Sequence, residues 1–66
     1  MQVTVNGVPT DVPDTTTVAT LVAERSDGHH RVAVAVNGGV VPRSAWQTSA
    51  LTPGDAVEVL APTAGG

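Results

Sequence analysis

Apart from Trp46, every large apolar side chain in this sequence is aliphatic, and valine dominates the supply. Cysteine, phenylalanine and tyrosine are absent, so neither disulfides nor cysteine–metal clusters can staple the fold. A chain of 66 residues allows one domain. A domain of this size buries only about 60% of the surface its unfolded form exposes. Its core must therefore be a small, tightly packed aliphatic set. Such a core leaves no room for a deep apolar cavity that would hold a small molecule.

The placement of those aliphatics sorts the chain into elements. Val3 and Val5 alternate with Gln2 and Thr4, the period of a half-buried strand. Asn6-Gly7 follows, a dipeptide suited to the positive φ angles of a tight hairpin turn. Val8 to Val12 can return antiparallel, with Pro9 placing that strand at a sheet edge because it cannot donate to the ladder. Pro13 to Thr17 supplies a turn and a choice of helix N-caps. Val18, Leu21 and Val22 then recur at i, i+3 and i+4, which predicts a short helix closed by Asp27-Gly28. A helix this short needs a sheet to pack on.

Arg31 to Val36 alternates valine with alanine and carries the strongest strand signal. It reads as a central strand, covered on both faces or covered on one and shielded by small residues on the other. Asn37-Gly38-Gly39 turns the chain into a short strand at Val40 and Val41, stopped by Pro42. Arg43 to Leu51 reads as an irregular connection with a helical turn near Ser44 to Gln47. Thr52-Pro53-Gly54-Asp55 is a turn, and a last strand runs from Ala56 to Leu60 with Val57 and Val59 inward and Glu58 outward. The order predicts an α+β fold, a mixed sheet of four to five strands with one main helix on one face. Residues 1–60 form the domain, and residues 61–66 are expected to be a flexible tail.

The formal charge is −3, from six acidic residues against three arginines, and lysine is absent. Nucleic-acid binding needs a basic face to displace counterions, and none is supplied. A basic protein partner suits an acidic domain better. No segment reads as a leader or a membrane span, so a cytoplasmic monomer is expected.

The two glycines at the C-terminus are the most informative chemical feature. Lacking Cβ atoms, Gly65 and Gly66 can thread extended through a narrow channel and deliver the Gly66 carboxylate to an active site in another protein. A carboxylate is a poor electrophile until adenylation gives it a good leaving group. A sulfur donor can then displace AMP and leave a thiocarboxylate. No side chain of this chain needs to react. The plain alternative is an incidental, frayed end.

The sequence resembles the ThiS family, sulfur carriers of thiamine biosynthesis with the β-grasp, ubiquitin-like fold. The residues that carry the resemblance are Ala35-Val36-Asn37-Gly38-Gly39-Val40-Val41-Pro42-Arg43, Trp46, Leu51-Thr52-Pro53-Gly54-Asp55 and Gly65-Gly66. Each piece is weak alone, but their order and spacing are specific. The resemblance implies that a ThiF-type adenylyltransferase forms the acyl-adenylate at Gly66. A sulfurtransferase or cysteine desulfurase would convert it to the thiocarboxylate, with Gly65 and Ala64 threading into the partner's active site. A ThiG-type thiazole synthase would then take the sulfur into the thiazole. On this account the chain is a co-substrate and not an enzyme, and needs neither cofactor nor metal. Ala61-Pro62-Thr63-Ala64 lacks the larger apolar residue common before the glycines in that family. There it is similar to molybdopterin-synthase small subunits, which share the fold. Carriers for molybdopterin or cysteine synthesis, and a ubiquitin-like protein modifier, are thus the alternative readings.

Four further residues are candidates for partner docking. Arg43 can anchor an anionic group or simply satisfy local carbonyls. Trp46 can be an interface anchor or a plug for the core. Glu58, with Asp55, can form an acidic patch or a solvated edge, and Leu60 can contribute to an apolar docking face. His29-His30 has no companion ligands, which argues against metal binding.

Overall fold

The computed structural model describes residues 1–25 and 32–60. Strand β1 (Gln2–Val5) and strand β2 (Val8–Asp11) form the expected hairpin, with Val5 opposite Val8 across a two-residue turn. Asn6 and Gly7 both have positive φ, 51° and 81°, as the primed turn demands. β2 lies at the sheet edge, where Pro9 costs no ladder bond. Helix α1 (Val18–Arg25) buries Val18, Leu21 and Val22. Thr17 is its N-cap: the Thr20 N–H donates to Thr17 Oγ1 at 3.3 Å. The expected helix end at Asp27-Gly28 lies outside the described residues.

Strand β3 (Ala33–Val36) and strand β4 (Gly39–Val41) form a second hairpin of the same type, with φ of 51° at Asn37 and 84° at Gly38. A 3-10 turn, Arg43–Ala45, opens the connection that follows. That connection is irregular because its backbone serves the helix rather than the sheet. The Ser49 carbonyl accepts from the Val18 N–H and the Trp46 carbonyl from the Ala19 N–H, which satisfies donors that a helix N-terminus leaves open. The connection ends in the predicted turn, where the Asp55 N–H donates to the Thr52 carbonyl at 3.1 Å and Gly54 has φ of 83°. Strand β5 (Ala56–Leu60) completes the sheet.

The sheet order is β2-β1-β5-β3-β4, with β1 parallel to β5 and every other pair antiparallel. This is the anticipated mixed sheet with one helix. The valine-alanine strand is interior as expected, between β5 and β4, and the middle place is taken by β5. β5 is the last strand in chain order and the one that pairs with both hairpins, which puts it there. β3 lies beside it, with Val34 buried beneath the sheet and Ala33 and Ala35 on the opposite face, across from Leu60 and Glu58. The second of the two coverings anticipated for this strand is therefore the one found.

The core is a single cluster that includes Val3, Val5, Val18, Leu21, Val34, Trp46, Leu51 and Val57. Burying one such aliphatic side chain is worth about 1.5–3 kcal/mol. Thr16 is buried among them at 3% exposure, and its Oγ1 finds no hydrogen-bond partner among the described residues. An orphaned buried hydroxyl costs more than a methyl group of the same shape. Thr16→Val is therefore expected to stabilise the fold by about 1 kcal/mol, read as a higher urea midpoint at unchanged m-value. A lower midpoint would mean that the hydroxyl is serving a partner.

Candidate functional site

Leu60 is the last described residue before the Gly-Gly end, so the placement of β5 decides where that end leaves the domain. Two asparagine side chains set that placement. On one flank β5 pairs with β1 only through Thr4–Ala56 and Val5–Val57, and the strand then outruns its partner. Asn6, the first turn residue after β1, carries the ladder on. Its backbone N–H donates to the Val57 carbonyl at 2.8 Å. Its side chain then imitates a further peptide unit: Oδ1 accepts from the Val59 N–H at 2.9 Å, and Nδ2 donates to the Val59 carbonyl at 3.2 Å.

Asn37 does the same on the other flank, at the opposite end of β5. Its backbone N–H donates to the Ala56 carbonyl at 2.7 Å, and its Oδ1 accepts from the Ala56 N–H at 2.9 Å. Its Nδ2 donates instead to Asp55 Oδ1 at 2.9 Å. Asp55 also receives the Thr52 N–H on Oδ2 at 2.8 Å and the Thr52 hydroxyl on Oδ1 at 2.9 Å. The Thr52 backbone bond, followed by the Asn37 amide, holds the Asp55 carboxyl below its ordinary value of 3.8, against the opposing effect of burial. Asp55 is only 9% exposed, so it closes the turn before β5 and does not form a solvated acidic edge with Glu58.

The four docking candidates fall into two groups. Trp46 is 8% exposed, part of the core, with its indole N–H donating to the Val41 carbonyl at 2.9 Å. The Arg43 guanidinium stacks over its ring at 4.7 Å from the centroid, in cation–π range. What Trp46 offers to the surface is thus a platform for Arg43. Glu58 and Leu60 lie on the sheet face opposite the helix, facing Ala35 and Ala33 across the β3–β5 ladder. Val40 faces Ala35 from β4 on the same side. Leu60 is 59% and Val40 79% exposed, so this face presents two large aliphatics and small alanines around one carboxylate.

Ala64, Gly65, Gly66, His29 and His30 lie outside the described residues. Among the described residues no group of His, Asp and Glu could hold a metal ion, and no helix is long and apolar enough to cross a membrane. Sequence reasoning read Asn6 and Asn37 only as turn residues. The signal for their second role was the choice of asparagine in both turns: glycine would satisfy the φ angle, but it lacks the donor and acceptor that a side-chain amide offers together.

Two outcomes follow from these contacts. Trp46→Phe removes the donor to the Val41 carbonyl and weakens the Arg43 platform, and is expected to cost about 1–3 kcal/mol by denaturant unfolding followed by circular dichroism. Because the folded pKa of Asp55 is depressed, its contribution is complete above the unfolded value of 3.8 and is lost as pH falls through the folded pKa. Asp55→Asn should therefore be less stable than the parent at pH 7, with a shallower loss of stability below about pH 4. Parallel pH profiles for the two proteins would rule out this role for the carboxylate.

Comparison with curated protein sequences gives no significant match. Solved structures do match. The crystal structure of a thiamine biosynthesis protein (ThiS) from Geobacter metallireducens superposes with a TM-score of 0.83 at 35% identity, covering all of both chains. The solution structure of a thiamine biosynthesis protein from the same organism gives 0.77 at 36% identity, covering all of this chain and 88% of the other. The β-grasp architecture is common to them. The ThiS family model matches residues 3–66, from β1 through both terminal glycines. This chain belongs to the ThiS family.

Proposed function

We propose that this protein is a sulfur carrier of thiamine biosynthesis, acting as a co-substrate through the carboxylate of Gly66. The observation that carries the reading is the family match, which extends from residue 3 to Gly66 and so takes in both terminal glycines. The full-length likeness to a ThiS structure supports it. So does the fold's position for Leu60, at the end of the central strand and six residues before the terminal carboxylate.

The chemistry needs little from the chain itself. The Gly66 carboxylate oxygen attacks the α-phosphorus of ATP on a ThiF-type adenylyltransferase and pyrophosphate leaves. The outer sulfur of a persulfide on a sulfurtransferase or cysteine desulfurase then adds to the acyl carbon and AMP departs, leaving an acyl disulfide. A second thiol attacks the enzyme-side sulfur, forms an enzyme disulfide and releases the thiocarboxylate. A thiazole synthase receives that sulfur. Gly65 and Ala64 occupy the partner's channel, where the missing or small Cβ keeps the passage narrow. The β-grasp body docks through the outer sheet face, with Leu60 and Val40 contributing apolar area, Glu58 meeting a basic group on the partner, and Arg43 held on Trp46 at its margin.

Intact mass spectrometry of the protein from its own host tests the reading. A species heavier by the difference between sulfur and oxygen is expected, and a Gly66 deletion should lack it while keeping its fold. If only the free carboxylate persists after incubation with ATP, the host adenylating enzyme and a sulfur donor, the carrier role is wrong. Conjugates to lysines of other proteins would point to a modifier instead.

A further inference from the structure

The carrier reading assigns no work to the side chain of Asn6. We propose that Asn6 is a positioning residue for the C-terminal segment: it fixes the last residues of β5 and so sets the direction in which the chain departs toward Gly66. The inference rests on the carrier reading and deepens it.

The argument begins with where β5 loses its neighbours. On the β3 side the ladder runs to the end of the strand, with Ala33 opposite Leu60. On the β1 side it stops at Val57, so the backbone groups of Val59 on that side have no strand to pair with. The Asn6 amide takes both of them, the N–H and the carbonyl of a single residue. One side chain thereby replaces the missing strand at the residue that precedes Leu60. Without it, the last turn of the ladder would be held from one flank only, and a strand end held from one flank frays and pivots.

The consequence for the reaction is where the chain leaves the sheet. Gly66 lies six residues beyond Leu60, so the strand end sets the point from which those residues must reach the partner's active site. Misplacing a reacting group by about 1 Å can cost up to a hundredfold in rate. Of the docking residues, Val40 and Arg43 lie away from the strand that Asn6 clamps, and Leu60 and Glu58 lie on it. Loss of the clamp is therefore expected to lower turnover more than it weakens binding.

Asn37 provides the internal control. It clamps β5 by the same chemistry and adds the bond to Asp55, but it does so at Ala56, on the order of 13 Å along the strand from Leu60. Glycine is the replacement for both, since Asn6 and Asn37 share φ of 51° and glycine adopts that angle without strain.

The experiment is ATP–pyrophosphate exchange by the host adenylating enzyme, with full-length wild type, Asn6→Gly and Asn37→Gly as the varied carrier. Hydrogen exchange at the Val59 amide is measured in parallel. For Asn6→Gly, Val59 protection should be lost and kcat should fall on the order of tenfold, while KM for the carrier changes little. For Asn37→Gly, the protein should be the less stable of the two yet keep the wild-type kcat. Equal kcat for Asn6→Gly and wild type, or equal losses in both variants, overturns the positioning role alone. Wild type that supports no exchange at all overturns the carrier reading and this proposal together. Should Asn6→Gly fail to fold, Asn6→Asp puts the same question. It keeps the acceptor for the Val59 N–H and loses the donor to the carbonyl, so a smaller fall in kcat at unchanged KM is expected.

Discussion

The central strand depends on neighbours that are each too short for it. β1 and β3 flank β5 but overlap it at opposite ends, so each flank leaves part of the β5 backbone without a strand partner. Those peptide groups lie at the solvent edge of the ladder, where they would turn to water and let the strand ends fray. Asn6 and Asn37 hold them instead, one at each end, because each sits at the turn where its own strand stops. Both hairpins are thereby fastened to the strand that arrives last. The valine core beneath can close only when β5 is seated, since Val57 is 1% exposed at its centre.

The same arrangement divides labour within a very small domain. The inner face of the sheet is spent on stability, packed by one helix and by Trp46. The outer face is spared from it: alanines on β3 leave Leu60, Glu58 and Val40 standing clear. In the proposed role the outer face is recognised while a carboxylate six residues beyond β5 reacts. The only aromatic ring in the chain is given to the core and not to the recognition face. With so few large side chains available, the fold cannot spare it.

Much of the fold could be read locally. Both Asn-Gly hairpins, the Pro9 edge strand, the helix face of Val18, Leu21 and Val22, and the Pro53-Gly54 turn each follow from a few adjacent residues whose backbone angles or period admit little else. The order of the interior strands was less legible. Arg31 to Val36 is the most apolar run, and its strand does lie inside the sheet, between β5 and β4. Its alanines are small enough to leave one face open, and the less apolar β5 takes the middle place. Trp46 and Asp55 were legible as residues of consequence but not in their roles, because each is defined by partners distant in sequence or across a turn.

What the sequence by itself determined is the set of parts: two primed hairpins, one short helix, a last strand, a valine core with one tryptophan, and a Gly-Gly end with the chemistry that a bare carboxylate permits. These are properties of residues and their near neighbours, governed by φ angles, periodicity and functional groups. What only the tertiary structure decided is how the parts are joined. Asn6 meets Val59 across 53 residues and Asn37 meets Ala56 across 19. Those pairings exist only once β5 has slid between β1 and β3, because their partners are backbone atoms that no residue type advertises. A side-chain amide can satisfy any peptide group within reach, and it is the fold that decides which one.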